Sequence, residues 1–259
     1  MLSRLGNKSK LMKYIHPYFP PHKMRIDLFF GAGGAFFGLP KPQYSILNDL
    51  DDDVTNFYFI IQERKEEFIY EFLKMPISSS LVRYWKNHQE TDPLKKALRF
   101  TLLSNFTYLG KGDTLRLGLS DQKKVMIQKI DQVFLELQSA KLCNYDFREV
   151  IPKIEFADRI SRKEKAFVFM DPVYLDSNHT YKVPKWKKDD TLDCLDLMIT
   201  CGIRAAMCEF DHPIVIEESK KRGLNIIPIK ERRNIKKRST EILITNYNNH
   251  SLFNQNPPS

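Results

Sequence analysis

The chain has 259 residues, 42% of them hydrophobic, and a formal net charge of +9. That length suits one large domain, or a core domain with a smaller companion, around an ample apolar core, and the basic excess favours a polyanionic partner, nucleic acid first. No run of 18 apolar residues occurs and the start Met1-Leu2-Ser3-Arg4-Leu5-Gly6 has no apolar signal core, so neither a membrane span nor a secretory leader is expected.

The segment Arg4-Leu5-Gly6-Asn7-Lys8 precedes a helix predicted from about Ser9. Met24 to Phe30 reads as a strand, followed by the turn Gly31-Ala32-Gly33-Gly34 and an apolar stretch ending near Pro40. Tyr44 to Leu47 reads as a second strand closed by Asn48-Asp49, and a helix opens over Val54 to Phe59. These pieces form a β-turn-α-β unit, the seed of a doubly wound α/β sheet. From about Glu63 to Lys141 the pattern becomes helical: Phe68, Phe72 and Leu73, then Leu94, Leu98, Leu102 and Phe106, then Ile127, Ile130, Phe134 and Leu137. Lys111-Gly112-Asp113 marks a turn or short hairpin between helices. We read 63–141 as an inserted helical subdomain and 1–62 with 142–259 as the sheet-based domain. The sheet resumes near Lys141, with strands at Ala166 to Met170, Ile203 to Phe210, Leu224 to Ile229 and Glu241 to Tyr247. Helices are expected at Leu192 to Thr200 and Ile214 to Arg222, and the polar tail Asn248 to Ser259 reads as a frayed end.

The segment richest in chemistry is Asp171-Pro172-Val173-Tyr174, at the end of the apolar run Ala166-Phe167-Val168-Phe169-Met170. Open α/β sheets place ligands at such strand ends. The carboxylate and a backbone carbonyl can accept hydrogen bonds from one exocyclic amine, and the tyrosine ring can stack on the base that carries it. A capped strand end with a turn proline is the plainer reading of the same four residues. Asp27-Leu28-Phe29-Phe30 leads into glycines that let a ligand approach the backbone closely. Asp49, ending the next strand, can accept from ribose hydroxyls. No Gly-Lys-Ser/Thr follows, which argues against a phosphate-cradling nucleotidase loop. Lys8 suits either a carboxylate partner or a surface position at a helix start. Asp146, in Cys143-Asn144-Tyr145-Asp146-Phe147, suits either an adenine amine or a turn.

The four cysteines have no Cys-x-x-Cys spacing, so neither a zinc site nor a disulfide framework is expected. They read as reduced core residues of a cytoplasmic protein. Two basic runs stand out. Lys182, Lys185, Lys187 and Lys188 surround Trp186, and Lys230, Arg232, Arg233, Lys236, Lys237 and Arg238 form the second. Both are read as loops that contact nucleic-acid phosphates.

Taken in order, these segments resemble the Dam-type DNA adenine-N6 methyltransferases over nearly the whole chain. Asp171-Pro172-Val173-Tyr174 resembles the family's Asp-Pro-Pro-Tyr box, with Val173 for its second proline. Gly6-Asn7-Lys8 is similar to its N-terminal Gly-Gly-Lys segment, and Asp27-x-Phe29-Phe30-Gly31-Ala32-Gly33 resembles its Glu/Asp-Pro-Phe-x-Gly-x-Gly motif. Asn48-Asp49-Leu50-Asp51 resembles its ribose-binding Ala-Asp-Ile-Asn segment, Asp146-Phe147 its Asp-Phe pair, and Glu241 to Tyr247 its terminal strand. Asn105 stands where the family has Asn-Arg-x-Gly, but Phe106 follows it here. Arg4 and Leu28 also depart from the family's aromatic and proline.

The resemblance implies a Rossmann-like methyltransferase sheet with 63–141 as a DNA-recognition subdomain. It implies methyl transfer from S-adenosyl-L-methionine to the N6 amine of an adenine flipped out of double-stranded DNA, in a cytoplasmic enzyme of restriction-modification type. Asp171, Pro172 and Tyr174 would be catalytic. Lys8, Asp27, Phe29, Gly31, Gly33, Asp49, Asp146 and Phe147 would hold the cofactor. Asn105, Lys111 and Arg116 would join the basic runs in binding DNA. No metal and no obligate protein partner is expected. A cytosine-N4 or RNA methyltransferase, or a DNA-binding relative without catalysis, are the alternatives.

Overall fold

The structure, a computed structural model, describes residues 8–118, 121–156, 161–176, 183–233 and 238–248. Seven strands occur among them: β1 (Met24–Asp27), β2 (Tyr44–Asn48), β3 (Ala140–Cys143), β4 (Ala166–Met170), β5 (Arg204–Phe210), β6 (Asn225–Arg233) and β7 (Arg238–Thr245). The chain divides into two compact units. The first comprises Met1–Ser9, Phe30–Lys41 and Asp49–Asn144, and the second Lys10–Phe29, Pro42–Asn48 and Tyr145–Ser259. The mixed α/β architecture agrees with the Rossmann-like sheet expected from the sequence.

In the second unit the strands run in the order β2-β1-β4-β5-β7-β6. The β1–β2, β1–β4 and β4–β5 pairs are parallel, with Ile26 beside Ile46 on one side and beside Val168 on the other. β4 is buried along its whole length, as parallel strands covered on both faces must be. β7 then enters antiparallel between β5 and β6, and a register shift at Pro228/Lys230 interrupts its pairing with β6. The chain departs β1 toward β2 on one side while β4 lies on the other. That reversal is where doubly wound sheets bind ligands, at the carboxyl ends of the strands.

The first unit is mostly helical. Its helices are Asp52–Glu63, Lys65–Lys74, Ser79–Asn87, Pro93–Asn105 and Gln122–Leu137, and all but Lys65–Lys74 begin at a side-chain cap. Side chains of Asp51, Ser78, Asp92 and Asp121 accept backbone N–H groups of the helices they precede, and Pro93 takes the first helical position after Asp92. Phe57 packs on Phe68 and Phe100, and Phe68 stacks on Phe72, with ring centroids 5.6–5.9 Å apart. Those contacts group the helix Asp52–Glu63 with the helices after it, so compactness divides the chain differently from a boundary at 62/63.

Three local expectations are corrected. The helix near the N-terminus begins at Met12, after turns at 9–11, and has only four residues. β1 ends at Asp27, before the glycine turn. The second basic run is not simply a loop: Lys230, Arg232 and Arg233 belong to β6 and Arg238 opens β7.

Candidate active site

β4 consists of apolar residues, so Asp171 is the first polar group the chain presents as it leaves the sheet. Asp171 is half-buried and Pro172 is buried. Pro172 fixes its own φ and has no N–H to satisfy, while its carbonyl remains an acceptor. Tyr174 is 7% exposed. Its Oη donates to Glu241 of β7, and its ring meets Phe210 edge-on, with centroids 4.7 Å apart. Leu175 N–H donates to Glu209 Oε2 at 3.1 Å. Asp176 takes a left-handed φ of 60° and its carboxylate lies 3.2 Å from His212 Nε2. Burial, then the nearby Asp171, Cys208 and Glu241, hold the Tyr174 phenol well above its ordinary pKa, so the hydroxyl keeps its proton.

Asp27, near β1's end, forms a buried ion pair with Arg25 at 2.7 Å. The Arg25 guanidinium lies over the rings of Phe19 and Phe169, 5.1 and 5.2 Å from their centroids. Phe29, Phe147 and Trp186 form a three-ring cluster with centroids 5.2–5.9 Å apart, and Trp186 Nε1 donates to Thr191 Oγ1 at 2.9 Å. Asp146 caps the short helix Phe147–Val150, accepting from Arg148 N–H at 3.0 Å. Its carboxylate also pairs with the Arg148 guanidinium, which reaches Asp190 and Asp193 as well. Thus Asp146 has turn and ion-pair duties besides any ligand.

In the first unit, Gly31 and Gly33 take φ of +53° and +68°. The Gly31 N–H donates to Asp49 Oδ2 at 2.6 Å and the Asp51 N–H to Asp49 Oδ1 at 2.9 Å. Asp49 therefore closes the glycine turn, and a carboxylate with about four acceptor positions has capacity beyond two N–H groups. Lys8 is buried, which removes the surface reading.

The turn at 111–113 is a hairpin: Thr107 bridges antiparallel to Leu115, and Arg116 N–H donates to Phe106 O at 2.7 Å. Lys111 and Arg116 are exposed, and Arg116 Nη2 donates to Gln122 Oε1 at 2.9 Å. Asn105 is different. It is 1% exposed at the end of its helix and donates back to Thr101 O at 3.3 Å. Lys185, Lys187 and Lys188 are exposed at the start of helix Lys188–Thr200. Lys182, Lys236 and Lys237 lie outside the described residues. Arg233 and Arg238 are described in their backbone alone.

Residues 5–235 match the family of D12 class N6 adenine-specific DNA methyltransferases. The chain belongs to that family. A curated relative, the type II methyltransferase M1.LlaDCHI of Lactococcus lactis subsp. cremoris, is 22% identical over 281 residues, covering 94% of each chain. As a D12 methyltransferase this protein methylates adenine N6 in DNA and requires a methyl donor. The choice left open by the tetrapeptide therefore falls to adenine over cytosine and to DNA over RNA. Among the described residues no helix is long and apolar enough to cross a membrane, and no group of three or more His, Cys, Asp or Glu is arranged to hold a metal ion.

Three residues beside the candidate site were not singled out by sequence reasoning. Trp186 was visible as an aromatic among lysines. Glu209 was visible as a carboxylate directly after the apolar stretch Ala205 to Cys208. Glu241 carried no local signal, because its partner Tyr174 lies 67 positions away.

Proposed function

We propose that this D12 methyltransferase uses S-adenosyl-L-methionine to methylate the N6 amine of an adenine flipped out of double-stranded DNA. The observation that carries the reading is Asp171-Pro172-Val173-Tyr174, leaving β4 beside β1, where the strand order reverses. The adenine amine is a poor nucleophile because its lone pair is delocalised into the ring. Asp171 and the Pro172 carbonyl accept hydrogen bonds from its two N–H groups and favour a more tetrahedral nitrogen, a stabilisation that grows toward the transition state. A stacked base cannot reach these groups, so the adenine leaves the duplex at a cost of a few kcal/mol. The buried, hydrogen-bonded Tyr174 offers a fixed ring against which the extruded base is held.

The residues present fit the cofactor. A Cβ at Gly31 would meet nothing within 4 Å, so the turn leaves open space at its backbone, and Asp49 beside it supplies a carboxylate for ribose hydroxyls. Gly31, Gly33 and Asp49, with Lys8, are assigned to the cofactor in the first unit, and Asp27, Phe29, Asp146 and Phe147 in the second. Bound, it supplies a methyl group on a sulfonium that departs as a neutral thioether. Lys111 and Arg116 are assigned to target recognition within 63–141. Lys185, Lys187, Lys188, Arg233 and Arg238 are assigned to phosphates, with Lys182, Lys236 and Lys237. The relative's type II character supports a site-specific, restriction-modification role. Four free cysteines suit a reducing cytoplasm.

The test is nucleoside mass spectrometry of duplex DNA incubated with S-adenosylmethionine and the enzyme or its Asp171→Asn variant. N6-methyladenine should appear with the first and vanish with the second, while calorimetric cofactor binding persists. A folded Asp171→Asn protein that methylates at the normal rate would overturn the assignment.

A further inference from the structure

We propose that Glu209 and Glu241, two buried carboxylates with no part in the chemistry above, are positioning residues that set the shape of the Asp171–Leu175 segment for methyl transfer. The inference rests on the reading of Asp171 as acceptor of the target amine. Both side chains belong to fully buried residues, at 0% exposure. Glu209 and Phe210 are consecutive on β5 and point to opposite faces of the sheet. Phe210 stands opposite Glu241 in the antiparallel β5–β7 register, so Glu241 shares its face and Glu209 takes the other. The segment leaving β4 is held from both. On one face Glu209 Oε2 accepts the Leu175 N–H at 3.1 Å, while its Oε1 accepts the Phe210 N–H at 2.8 Å. On the other, Glu241 accepts the Tyr174 hydroxyl and Phe210 braces the ring.

Asp171 through Val173 therefore span a short gap between the last residue of β4 and two fixed anchors. Little freedom remains for the Asp171 carboxylate or the Pro172 carbonyl. Val173 leaves φ unrestrained where a second proline would fix it, and the two carboxylates supply the restraint. Packing alone does not explain them: a buried carboxylate is costly, and an apolar side chain of similar volume fills a strand interior at less expense.

The test measures single-turnover methyl transfer, the KM for S-adenosylmethionine and the melting temperature of the full chain. The variants are Glu209→Gln, Glu241→Leu, Glu241→Gln, Tyr174→Phe and the Tyr174→Phe/Glu241→Leu pair. Loss of alignment of about an ångström at reacting groups costs roughly 10²-fold in rate, and Glu241→Leu should lose on that order with little change in KM. Glu241→Gln should recover most of that loss, because its amide oxygen still accepts from Tyr174 Oη. The double variant should be no slower than the slower single one, because both remove the same bond. Glu209→Gln should do worse than Glu241→Gln, since its NH2 must face a backbone N–H. A Glu241→Leu protein with a normal rate per folded molecule overturns the proposal, and so do additive losses or a Gln variant no better than Leu. If Glu241→Leu does not fold, a normal rate in Tyr174→Phe overturns it instead. Asp171→Asn separates the two levels. Normal methylation by that variant removes the site assignment itself, whereas its inactivity together with normal Glu241 variants removes only the positioning role.

Discussion

Gly31 and Gly33 share a left-handed backbone for different reasons. A Cβ on Gly33 would sit 2.3 Å from the Phe37 ring, whereas one on Gly31 would meet nothing within 4 Å. Gly31→Ala should therefore cost only the conformational strain, about 1–2 kcal/mol, and Gly33→Ala should cost clearly more. Urea unfolding of the two variants checks this, and equal midpoints would contradict it. Asp49→Ala removes an acceptor from the turn as well as from the cofactor, and should weaken S-adenosylmethionine binding by roughly 1.5–3 kcal/mol in calorimetry. Unchanged affinity in a folded variant would exclude Asp49 from that site. At this scale the sequence was legible where function and local geometry coincide. Glycines at a strand end, and an aspartate after five apolar residues, announce themselves. The hydroxyl of Tyr174 does not. Read from the motif, its ring face is what matters; in the fold its oxygen donates to Glu241. Asn105, a polar residue in a motif-like place, is packed inside, which its position in the sequence did not announce.

In the first unit apolar spacing made four helices legible and glycines the hairpin after Phe106, whereas the helix Ser79–Asn87 was not read from the sequence. The hairpin presents Lys111 near its tip and Arg116 at its base to solvent, with Tyr108 and Leu109 also exposed. Arginine in such a hairpin can pair bidentately with guanine, so Arg116→Ala should cost about 1–3 kcal/mol at one base position and relax preference there. Competition binding with single-base variants of the target reads this out, and unchanged preference in an Arg116→Ala/Lys111→Ala protein places recognition elsewhere. The lysines before helix Lys188–Thr200 have a different signature. Neutralising Lys185, Lys187 and Lys188 should weaken all duplexes alike and flatten the slope of log affinity against log salt by roughly 0.9 unit for each phosphate that no longer meets a cation. A weakening confined to the cognate site would contradict that. The second basic run shows why charge patterns alone mislead about elements. Lys230 to Arg233 continue β6, and Lys230 Nζ lies 4.9 Å from the centre of the Tyr14 ring. Strand pairing with β7 decided that conformation, and no local pattern reports pairing.

For the whole molecule, acid sensitivity follows from two histidines. Burial first, and the Arg25 charge as well, lower the pKa of both His16 and His22 below the usual 6.5. The fold thus prefers them neutral, and the unfolded chain binds more protons as pH falls. Their contribution is complete above 6.5 and declines as pH drops toward the folded values. Urea midpoints should fall between pH 7 and about 5.5, before most carboxylates titrate, and a His16→Gln/His22→Gln variant should show a shallower decline. A parallel decline would assign the acid sensitivity to other groups. The α/β class and most strands could be read from periodicity, but the order of strands could not, because it depends on contacts between distant segments. That order has a consequence in time. β7 follows β6 along the chain yet lies inside it in the sheet, between β5 and β6. During synthesis Asp171, Pro172 and Tyr174 emerge well before Glu241, and β6 has no place to pair until the strand after it is made. A nascent chain halted before Arg238 would carry the whole tetrapeptide and still lack Glu241, the partner of its tyrosine.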